Sequence, residues 1–169
     1  MAKESQSLKI NNTKIVKSGK LIGHYYSILT EKGRTAFPVK FRNQIGKKGI
    51  CAKWYEGCLV VVRESSWDAL LERLTGSLQV FTGPVRDTDR FILGSAFEID
   101  FDSQGRFVIP KILREYSKLG EEVVFVGLGD RVEIWNKEEW LRKEKEVQEK
   151  ASQMVEELAK EIRKEVGNS

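Results

Sequence analysis

The sequence predicts an α+β fold in which a ββαββ unit is duplicated, flanked by helices and followed by a long C-terminal helix. Three observations predict it. A motif near residue 30 recurs 72 positions later. Both copies contain short stretches in which apolar and polar residues alternate, which is the period of half-buried strands. In the last segment, apolar residues recur every three or four positions, which is the period of a helix.

The most informative stretch is residues 101–116, which read FDSQGRFVIPKILREY. Apolar and polar residues alternate on both sides of residues 102–105, and this pattern predicts two strands joined by a four-residue connection. Such a connection closes a β-hairpin. Asp102 can accept a hydrogen bond from a backbone N–H two residues on, and Gly105 takes a left-handed conformation without steric cost. The hairpin leaves Arg106 at its mouth, and Pro110 ends the second strand and begins a short helix.

The same pattern stands earlier, where residues 29–42 read LTEKGRTAFPVKFR. A shift of 72 positions superposes two Gly-Arg pairs and two Pro-x-x-x-Arg segments, namely Gly33 on Gly105, Arg34 on Arg106, Pro38 on Pro110 and Arg42 on Arg114. Each copy then continues through a helical turn, a strand, a tight turn, a second strand and a helix start that contains Trp67 or Trp140. In the second copy, alternation around the turn at residues 129–130 predicts one shared face for Val123, Phe125, Val132 and Ile134. The sequence therefore predicts a duplication along most of the chain.

The paired motifs resemble those of the MraZ transcriptional regulators, relatives of the AbrB-type swapped-hairpin DNA-binding proteins. The resemblance runs from about Gly23 to the helix of Trp140. It implies an AbrB-like barrel, assembly into rings, and binding to repeated operator sequences in the promoter of the division and cell-wall gene cluster. One departure is Thr30, which stands where the family has Asp. The turn-bracing carboxylate is absent from the first copy, and the adjacent Glu31 is the candidate substitute.

The resemblance and the charge pattern together predict the site. Arginine suits this work because its planar fork grips guanine or phosphate with two hydrogen bonds. The predicted DNA contacts are Lys32, Arg34, Lys40, Arg42 and Arg106, and the predicted turn-bracing residues are Asp102, Gly33 and Gly105. Residues 32–63 carry a net charge of +7, whereas residues 96–114 are balanced. The first copy is therefore interpreted as the nucleic-acid side and the second as more structural. The alternative is that the Gly-Arg pairs only finish hairpins.

The predicted organisation has five segments. They are a basic flexible arm (1–22), the first AbrB-like repeat (23–66), a helical connector (67–95), the second repeat (96–138) and the C-terminal helix (139–169). The arm either contacts phosphate non-specifically or has no role, and the sequence leaves both open. The connector is expected to place Trp67 in the core rather than on a base, and to neutralise Arg86 and Arg90 locally. Asn136, with Glu139 three residues on, is the predicted cap at the start of the C-terminal helix. This helix carries an apolar stripe that predicts contacts between copies, formed by Val147, Ala151, Met154, Leu158 and Ile162.

Composition excludes several classes of protein. The chain is 40% hydrophobic and 32% charged, which is typical of soluble globular proteins. No run approaches the ~20 apolar residues of a spanning helix. The N-terminus lacks the apolar segment of a secretory signal, so a cytoplasmic, nucleoid-associated protein is expected. If Glu56 and Gly57 form a two-residue turn, Cys51 and Cys58 lie about 13 Å apart and stay reduced.

The inventory of reactive groups predicts a protein that is not an enzyme. There is no phosphate-binding Gly-rich run, no metal-ligand cluster and no nucleophile beside a base. His24, the only histidine, is predicted to lie on a strand surface. The sequence therefore predicts no cofactor, no metal, no small-molecule substrate and no membrane. The expected partners are double-stranded DNA and further copies of the chain, and the alternative function is a ring-forming protein scaffold that does not recognise DNA sequence.

Overall fold

A computed structural model describes residues 20–75 and 82–167 of the chain. These residues form eight strands and five α-helices. The strands are β1 (Leu21–Ile28), β2 (Arg34–Ala36), β3 (Lys48–Lys53), β4 (Leu59–Arg63), β5 (Phe97–Asp100), β6 (Arg106–Val108), β7 (Glu122–Gly129) and β8 (Val132–Asn136). The helices are α1 (Val39–Ile45), α2 (Trp67–Thr75), α3 (Gly83–Ile92), α4 (Lys111–Tyr116) and α5 (Lys137–Gly167). The α+β prediction is confirmed.

The two copies of the repeat exchange strands. Six strands form one antiparallel sheet in the order β1-β7-β8-β4-β3-β5, and β2 pairs with β6 in a separate two-stranded sheet, here called the ribbon. The first strand of each copy therefore lies against the other copy, because β1 pairs with β7 and β5 pairs with β3. Neither copy can complete its sheet alone.

The predicted hairpin around residues 102–105 is wrong beyond the turn itself. The turn closes as expected, because the Asp102 amide donates to the Arg106 carbonyl at 2.9 Å and the Gly105 amide donates to the Asp102 carbonyl at 2.9 Å. The flanking strands then separate, β5 toward β3 and β6 toward β2. This exchange lets the ribbon cover one face of the six-stranded sheet, where Phe37, Phe107 and Phe125 pack with ring centroids 5.3–6.4 Å apart.

Strands β4, β7 and β8 of the six-stranded sheet are buried on both faces. One face packs against the ribbon, α1 and α4, and its buried residues include four that the alternation in the second copy had placed together: Val123, Phe125, Val132 and Ile134. The other face packs against α2 and α3 through a second cluster of buried residues: Ala52, Trp54, Cys58, Val60, Val62, Trp67, Leu70, Ile92, Val124, Val126 and Trp135. The prediction that Trp67 belongs to the core is confirmed.

The turn between β3 and β4 is one residue longer than expected. Lys53 pairs with Leu59, and residues 55–57 form a short 3-10 turn, so the predicted register is wrong by one position. A shift of one residue moves side chains to the opposite face. Cys51 therefore lies in the ribbon-side core and Cys58 in the other core, both as free buried thiols. Burial raises the pKa of the Cys51 thiol to about 12.

The helix within the connector differs in its boundaries from the sequence prediction, which placed it from Asp87 to Leu93 with Phe91, Ile92 and Leu93 facing inward. Helix α3 begins at Gly83, four residues earlier than expected, because Pro84 occupies its first turn, where its missing N–H costs nothing. Leu93 was expected to point inward and is 44% exposed instead, because it lies beyond the end of α3. Arg90 pairs with Asp87 at 2.8 Å, so the expected neutralisation is confirmed for this arginine.

The long C-terminal helix is confirmed. The Asn136 side chain accepts hydrogen bonds from the amides of Glu138 and Glu139 at 2.8 and 3.3 Å, which fixes the start of α5. At 1.5 Å per residue the 31 residues of α5 span about 46 Å. No residue of α5 is buried. Within the described part of the chain, no helix is apolar enough over sufficient length to cross a membrane.

The N-terminal arm lies almost entirely outside the described residues. Strand β1 begins at Leu21, so the predicted arm overlaps the sheet by two residues at its end. Residue 23, the predicted start of the first repeat, therefore lies inside a strand that pairs with the second repeat from Leu21 onward.

Candidate DNA-contacting ribbon

The ribbon brings the two Gly-Arg motifs together. Its register pairs Arg34 with Val108, Thr35 with Phe107, and Ala36 with Arg106. Residues that face each other across an antiparallel pair lie on the same side of the sheet, and so do residues two apart along a strand. Arg34 and Arg106 are therefore diagonal neighbours on one face, with Cα atoms roughly 7–8 Å apart.

That face points to solvent. Thr35 and Phe107 on the opposite face are buried. The four residues on the solvent face are all exposed: Arg34, Ala36, Arg106 and Val108. Arg34 and Arg106 also line one shallow groove, which Glu98 and Asp100 of β5 line as well. The predicted arginines thus come from two different repeats and two different turns, and they meet on a single surface.

The second turn (residues 102–105) holds its arginine through a carboxylate. Asp102 Oδ1 accepts hydrogen bonds from the amides of Gln104 and Arg106, both at 2.9 Å. Asp102 Oδ2 accepts from Arg106 Nε at 2.8 Å. The Arg106 amide first, and then its guanidinium and the Gln104 amide, hold the pKa of Asp102 below its ordinary value. Both the turn and the side chain that leaves it are braced.

The first turn (residues 30–33) has the same backbone with a weaker brace. The Thr30 amide donates to the Arg34 carbonyl at 2.9 Å, and the Gly33 amide donates to the Thr30 carbonyl at 2.8 Å. The hydroxyl Oγ1 of Thr30 accepts from the Arg34 amide at 3.0 Å. Thr30 itself therefore replaces part of what Asp102 does, and no hydrogen bond of the Glu31 side chain contributes among the described residues.

Both turns require a glycine at their fourth position. Gly33 and Gly105 have φ values of +81° and +73°, the left-handed region in which a side chain is strained. Both are buried beneath an arginine of the other repeat. The amide of Ile109 donates to the Gly33 carbonyl and that of Phe37 to the Gly105 carbonyl, each at 2.8 Å, which fixes the ends of the ribbon.

The predicted basic cluster is divided between the two ends of the ribbon. Lys32 lies in the first turn. Lys40 lies in α1, near Phe37, whose amide is hydrogen-bonded to the Gly105 carbonyl of the second turn. Lys32, Arg34 and Lys40 are exposed, and their side chains make no hydrogen bond or ion pair with any other described residue. The sequence was interpreted as giving DNA contact to the first copy and a structural role to the second. The two copies do not form separate surfaces here, because β2 of the first copy and β6 of the second form one sheet.

Arg42 lies in a different environment from the other predicted contacts. It is half-buried, and its Nε donates to the Phe37 carbonyl at 2.8 Å. Its equivalent in the second repeat, Arg114, was not among the predicted site residues, yet its Nε donates to the Ile109 carbonyl at 3.0 Å and its Nη1 to the Glu31 carbonyl at 3.2 Å. The repeated Pro-x-x-x-Arg spacing was the signal that could have identified Arg114.

The described residues contain no group of three or more His, Cys, Asp or Glu side chains that could hold a metal ion. His24 lies on β1 with its side chain 40% exposed and its Nδ1 4.0 Å from Glu144, as expected for a strand-surface residue.

Comparison with known proteins shows the family of the chain. Residues 92–162 match the family model described as "MraZ protein, putative antitoxin-like". The chain is 38% identical over 141 residues to the transcriptional regulator MraZ of Syntrophomonas wolfei subsp. wolfei, which covers 83% of this chain and 95% of that protein. It is 39% identical over 141 residues to the transcriptional regulator MraZ of Caldicellulosiruptor saccharolyticus, covering 82% and 98%.

A third relative gives the highest of these identities over a shorter span. The transcriptional regulator MraZ of Leuconostoc mesenteroides subsp. mesenteroides is 41% identical over 119 residues, covering 70% of this chain and 82% of that protein. These relatives are named as regulators of transcription and not as enzymes. With identities above a third over nearly the whole length of such proteins, the chain belongs to the MraZ family.

Proposed function

We propose that the chain is a sequence-specific DNA-binding transcriptional regulator that contacts DNA with the exposed face of the ribbon. The observation that carries this proposal is the pair Arg34 and Arg106, one from each repeat, on one solvent-facing surface. A two-stranded antiparallel ribbon fits the major groove of B-DNA, and an arginine there can bond guanine with two hydrogen bonds. Glu98 and Asp100 also line this groove, and in this proposal their carboxylates disfavour phosphate beside β5.

Lysines at both ends of the ribbon support the same surface. Lys32 and Lys40 are exposed and unpaired among the described residues, so their charge is available to phosphate. In this proposal phosphate contacts by the lysines orient the protein, and the arginines contact the edges of the bases. Arg42 is retained as a predicted site residue, but its bond to the Phe37 carbonyl distinguishes it from the exposed arginines.

The proposed target is the promoter of the chain's own division and cell-wall gene cluster, where the family resemblance implies tandem operator repeats. One ribbon offers few contacts to bases, so a single copy would bind weakly. Several copies engaging repeated sites raise the affinity because the second and later contacts become intramolecular. A protein bound to the promoter in this way would be found with the nucleoid in the cytoplasm.

Helix α5 is the proposed contact between copies. Val147, Met154, Leu158 and Ile162 lie on its apolar stripe and are 42%, 40%, 57% and 52% exposed. A stripe of exposed apolar residues on a helix that projects from its domain is typical of a protein interface. A ring needs a contact between unlike surfaces that closes after a fixed number of copies. We propose that copies assemble into such a ring through α5.

The DNA-binding proposal is tested by fluorescence anisotropy with promoter DNA and with shuffled DNA of the same length and composition, each at several salt concentrations. We expect the promoter to bind more tightly at every salt concentration. The affinity for both DNAs should fall steeply with salt, since phosphate contacts release counterions. Equal affinities for the two DNAs would overturn the proposal and favour the ring-forming scaffold.

The assembly proposal is tested by light scattering on Leu158→Glu, with Lys160→Glu as the matched control. Position 160 lies on the opposite side of α5, so its substitution places a glutamate outside the stripe, with a larger change in net charge (−2) than Leu158→Glu (−1). We expect Leu158→Glu to lower the oligomeric state and to weaken promoter binding, while Lys160→Glu keeps the oligomeric state. A monodisperse monomer for the unmodified chain would overturn the ring and the tandem-repeat mechanism that depends on it.

A further inference from the structure

The two arginines of the Pro-x-x-x-Arg segments each lie against the turn of the other repeat. A Cβ added at Gly105 would lie 2.0 Å from Arg42 Nε, and a Cβ added at Gly33 would lie 2.6 Å from Arg114 Nε. Both distances are far below a van der Waals contact. Each guanidinium therefore lies directly on the glycine that precedes Arg34 or Arg106, and the glycine has to lack a side chain for this reason as well as for its positive φ.

Hydrogen bonds fix Arg114 to both ends of this contact. Its Nε donates to the Ile109 carbonyl at 3.0 Å, and the Ile109 amide donates to the Gly33 carbonyl at 2.8 Å. Its Nη1 donates to the Glu31 carbonyl at 3.2 Å, within the first turn. Arg114 is thus hydrogen-bonded to the first turn directly, at Glu31. It is also hydrogen-bonded to Ile109, whose amide bonds the carbonyl of Gly33, the last residue of that turn.

Arg42 repeats the arrangement at the other end of the ribbon. Its Nε donates to the Phe37 carbonyl at 2.8 Å, and the Phe37 amide donates to the Gly105 carbonyl at 2.8 Å. No bond from Arg42 to the carbonyl of Ser103, the equivalent of Glu31, accompanies these among the described residues. The second turn has Asp102 as an internal brace, whereas the first turn, with Thr30, receives the additional bond from Arg114.

We infer that Arg42 and Arg114 are positioning residues that act across the repeats. Arg114 of the second repeat orients the first turn and hence Arg34, and Arg42 of the first repeat orients the second turn and hence Arg106. Both are half-buried, and the Nε of each is used on a carbonyl of the protein, whereas Arg34 and Arg106 are exposed. The inference rests on the proposed function where it concerns DNA, and on the structure of the protein alone where it concerns the turns.

The first test needs no DNA. Hydrogen exchange is measured at the amides of Gly33 and Arg34 in the first turn and at those of Gln104 and Arg106 in the second. We expect Arg114→Met to accelerate exchange about tenfold in the first turn only, since one net hydrogen bond changes a local equilibrium by up to this factor. We expect Arg42→Met to accelerate exchange in the second turn only.

A matched control removes a similar bond elsewhere. Arg63 Nε donates to the Gln44 carbonyl at 2.6 Å, and neither residue is hydrogen-bonded to either turn among the described residues, so Arg63→Met should leave all four amides unchanged. Acceleration in a variant's own repeat, or equal acceleration in both turns, would overturn the inference. If Arg114→Met does not fold, Arg114→Lys is used, because lysine keeps the charge without the planar fork that bonds two carbonyls.

The second test measures coupling in DNA binding. If Arg114 acts through Arg34, Arg114→Met weakens promoter binding about 3- to 10-fold alone and has no further effect in an Arg34→Ala background. It stays additive with Arg106→Ala, although Arg106 belongs to the same repeat. A further loss of affinity in the Arg34→Ala background, with a salt slope lower by ~0.9, would show that Arg114 contacts phosphate itself and would overturn the inference.

The two tests separate failure of the inference from failure of the proposed function. If the exchange pattern is as expected and the unmodified chain does not distinguish promoter from shuffled DNA, the arginines position the turns and the DNA-binding proposal is wrong. If the unmodified chain binds the promoter and exchange does not cross the repeats, the DNA-binding proposal stands and the positioning role is wrong.

Discussion

The first and second turns have the same backbone and different side-chain anchors. In both turns, the amide of the first residue (Thr30 or Asp102) donates to the carbonyl of the arginine (Arg34 or Arg106) at 2.9 Å. The amide of the glycine donates to the carbonyl of the first residue at 2.8–2.9 Å. Asp102 then accepts three hydrogen bonds, one of them from the guanidinium of Arg106, whereas the Thr30 hydroxyl accepts one, from the amide of Arg34. The spacing and the glycine fix the path of the chain, and one residue decides whether the arginine side chain is fixed as well.

This difference changes what each arginine offers to a ligand. The charge of Arg106 is paired with Asp102, and its Nη groups remain as donors in a defined orientation. Arg34 has no carboxylate partner among the described residues, so its charge is unpaired and its side chain keeps its rotameric freedom. We therefore expect Arg34 to add salt-dependent affinity through its unpaired charge besides its contact with the bases, and Arg106 to contribute mainly discrimination between sequences.

The largest expected effect is the loss of Arg34. Arg34→Ala should lower promoter affinity about tenfold or more and reduce the salt slope by up to ~0.9, since it removes an unpaired charge from the ribbon. Arg106→Ala alone would leave Asp102 as an unpaired negative charge beside the DNA, so the matched variant is Asp102→Ala combined with Arg106→Ala. We expect that double variant to lose clearly less affinity. Anisotropy titrations decide, and an equal or larger loss at the second turn would reverse the assignment.

The next effect concerns discrimination. Asp102→Asn keeps the size of the side chain and weakens the bond to Arg106 Nε, because an amide is a poorer acceptor than a carboxylate. We expect the ratio of promoter to shuffled affinity to fall about fivefold, while affinity for shuffled DNA stays level or rises. The measurement is the same pair of titrations. A parallel loss on both DNAs would mean that Arg106 contacts phosphate and carries no sequence information.

A smaller effect is expected from giving the first turn the anchor of the second. Thr30→Asp places a carboxylate where it can accept from the amides of Lys32 and Arg34 and from Arg34 Nε, as Asp102 does in its own turn. We expect slower hydrogen exchange at the Arg34 amide and about twofold tighter promoter binding, since an exposed ion pair contributes little. Thr30→Asn is the neutral control. A clear loss of affinity would show that repulsion between the new charge and phosphate outweighs the gain in order.

The sequence predicted the local features of both turns because they depend on nearby residues. Gly33 and Gly105 have the left-handed conformation expected of them, and Asn136 caps α5. Alternation placed Val123 and Ile134 on one face of the β7–β8 pair. In each case the interacting groups lie within a few positions or on one hairpin, so the period and the turn residues carry enough information.

The exchange of strands between repeats could not be predicted in the same way. The residues that pair between β2 and β6 lie about 70 positions apart in the chain. Alternation specifies which face of a strand is buried, but it does not specify which strand lies beside it. For the same reason the sequence assigned Arg42 and Arg34 to one basic surface, although α1 carries Arg42 to the turn of the other repeat. The predicted register of Cys58 was wrong because the turn between β3 and β4 has one more residue than expected. The alternation of apolar and polar residues does not reveal the length of a turn.

The smallest effect is a difference in pH dependence between the two turns. The folded pKa of Asp102 lies below its ordinary value, so the stability that its hydrogen bonds give the second turn is complete above the unfolded pKa, about 3.9. It is lost as the pH falls through the folded pKa, where protonation removes an acceptor. The first turn is braced by a hydroxyl, which does not titrate in this range, so its amides should not follow this transition.

An NMR titration of the Gln104 and Arg106 amides against those of Gly33 and Arg34 measures this difference. We expect a midpoint below about 3.9 in the second turn only. In Arg106→Ala the residue at position 106 keeps its backbone N–H, the largest cause of the lowered pKa of Asp102, so much of the depression should remain. A midpoint that returns to the ordinary value in this variant would mean that the guanidinium, and not the backbone of the turn, holds the carboxylate. In Thr30→Asp a second transition should appear at the Arg34 amide, and its position relative to that of Asp102 reports how closely the two turns have become alike.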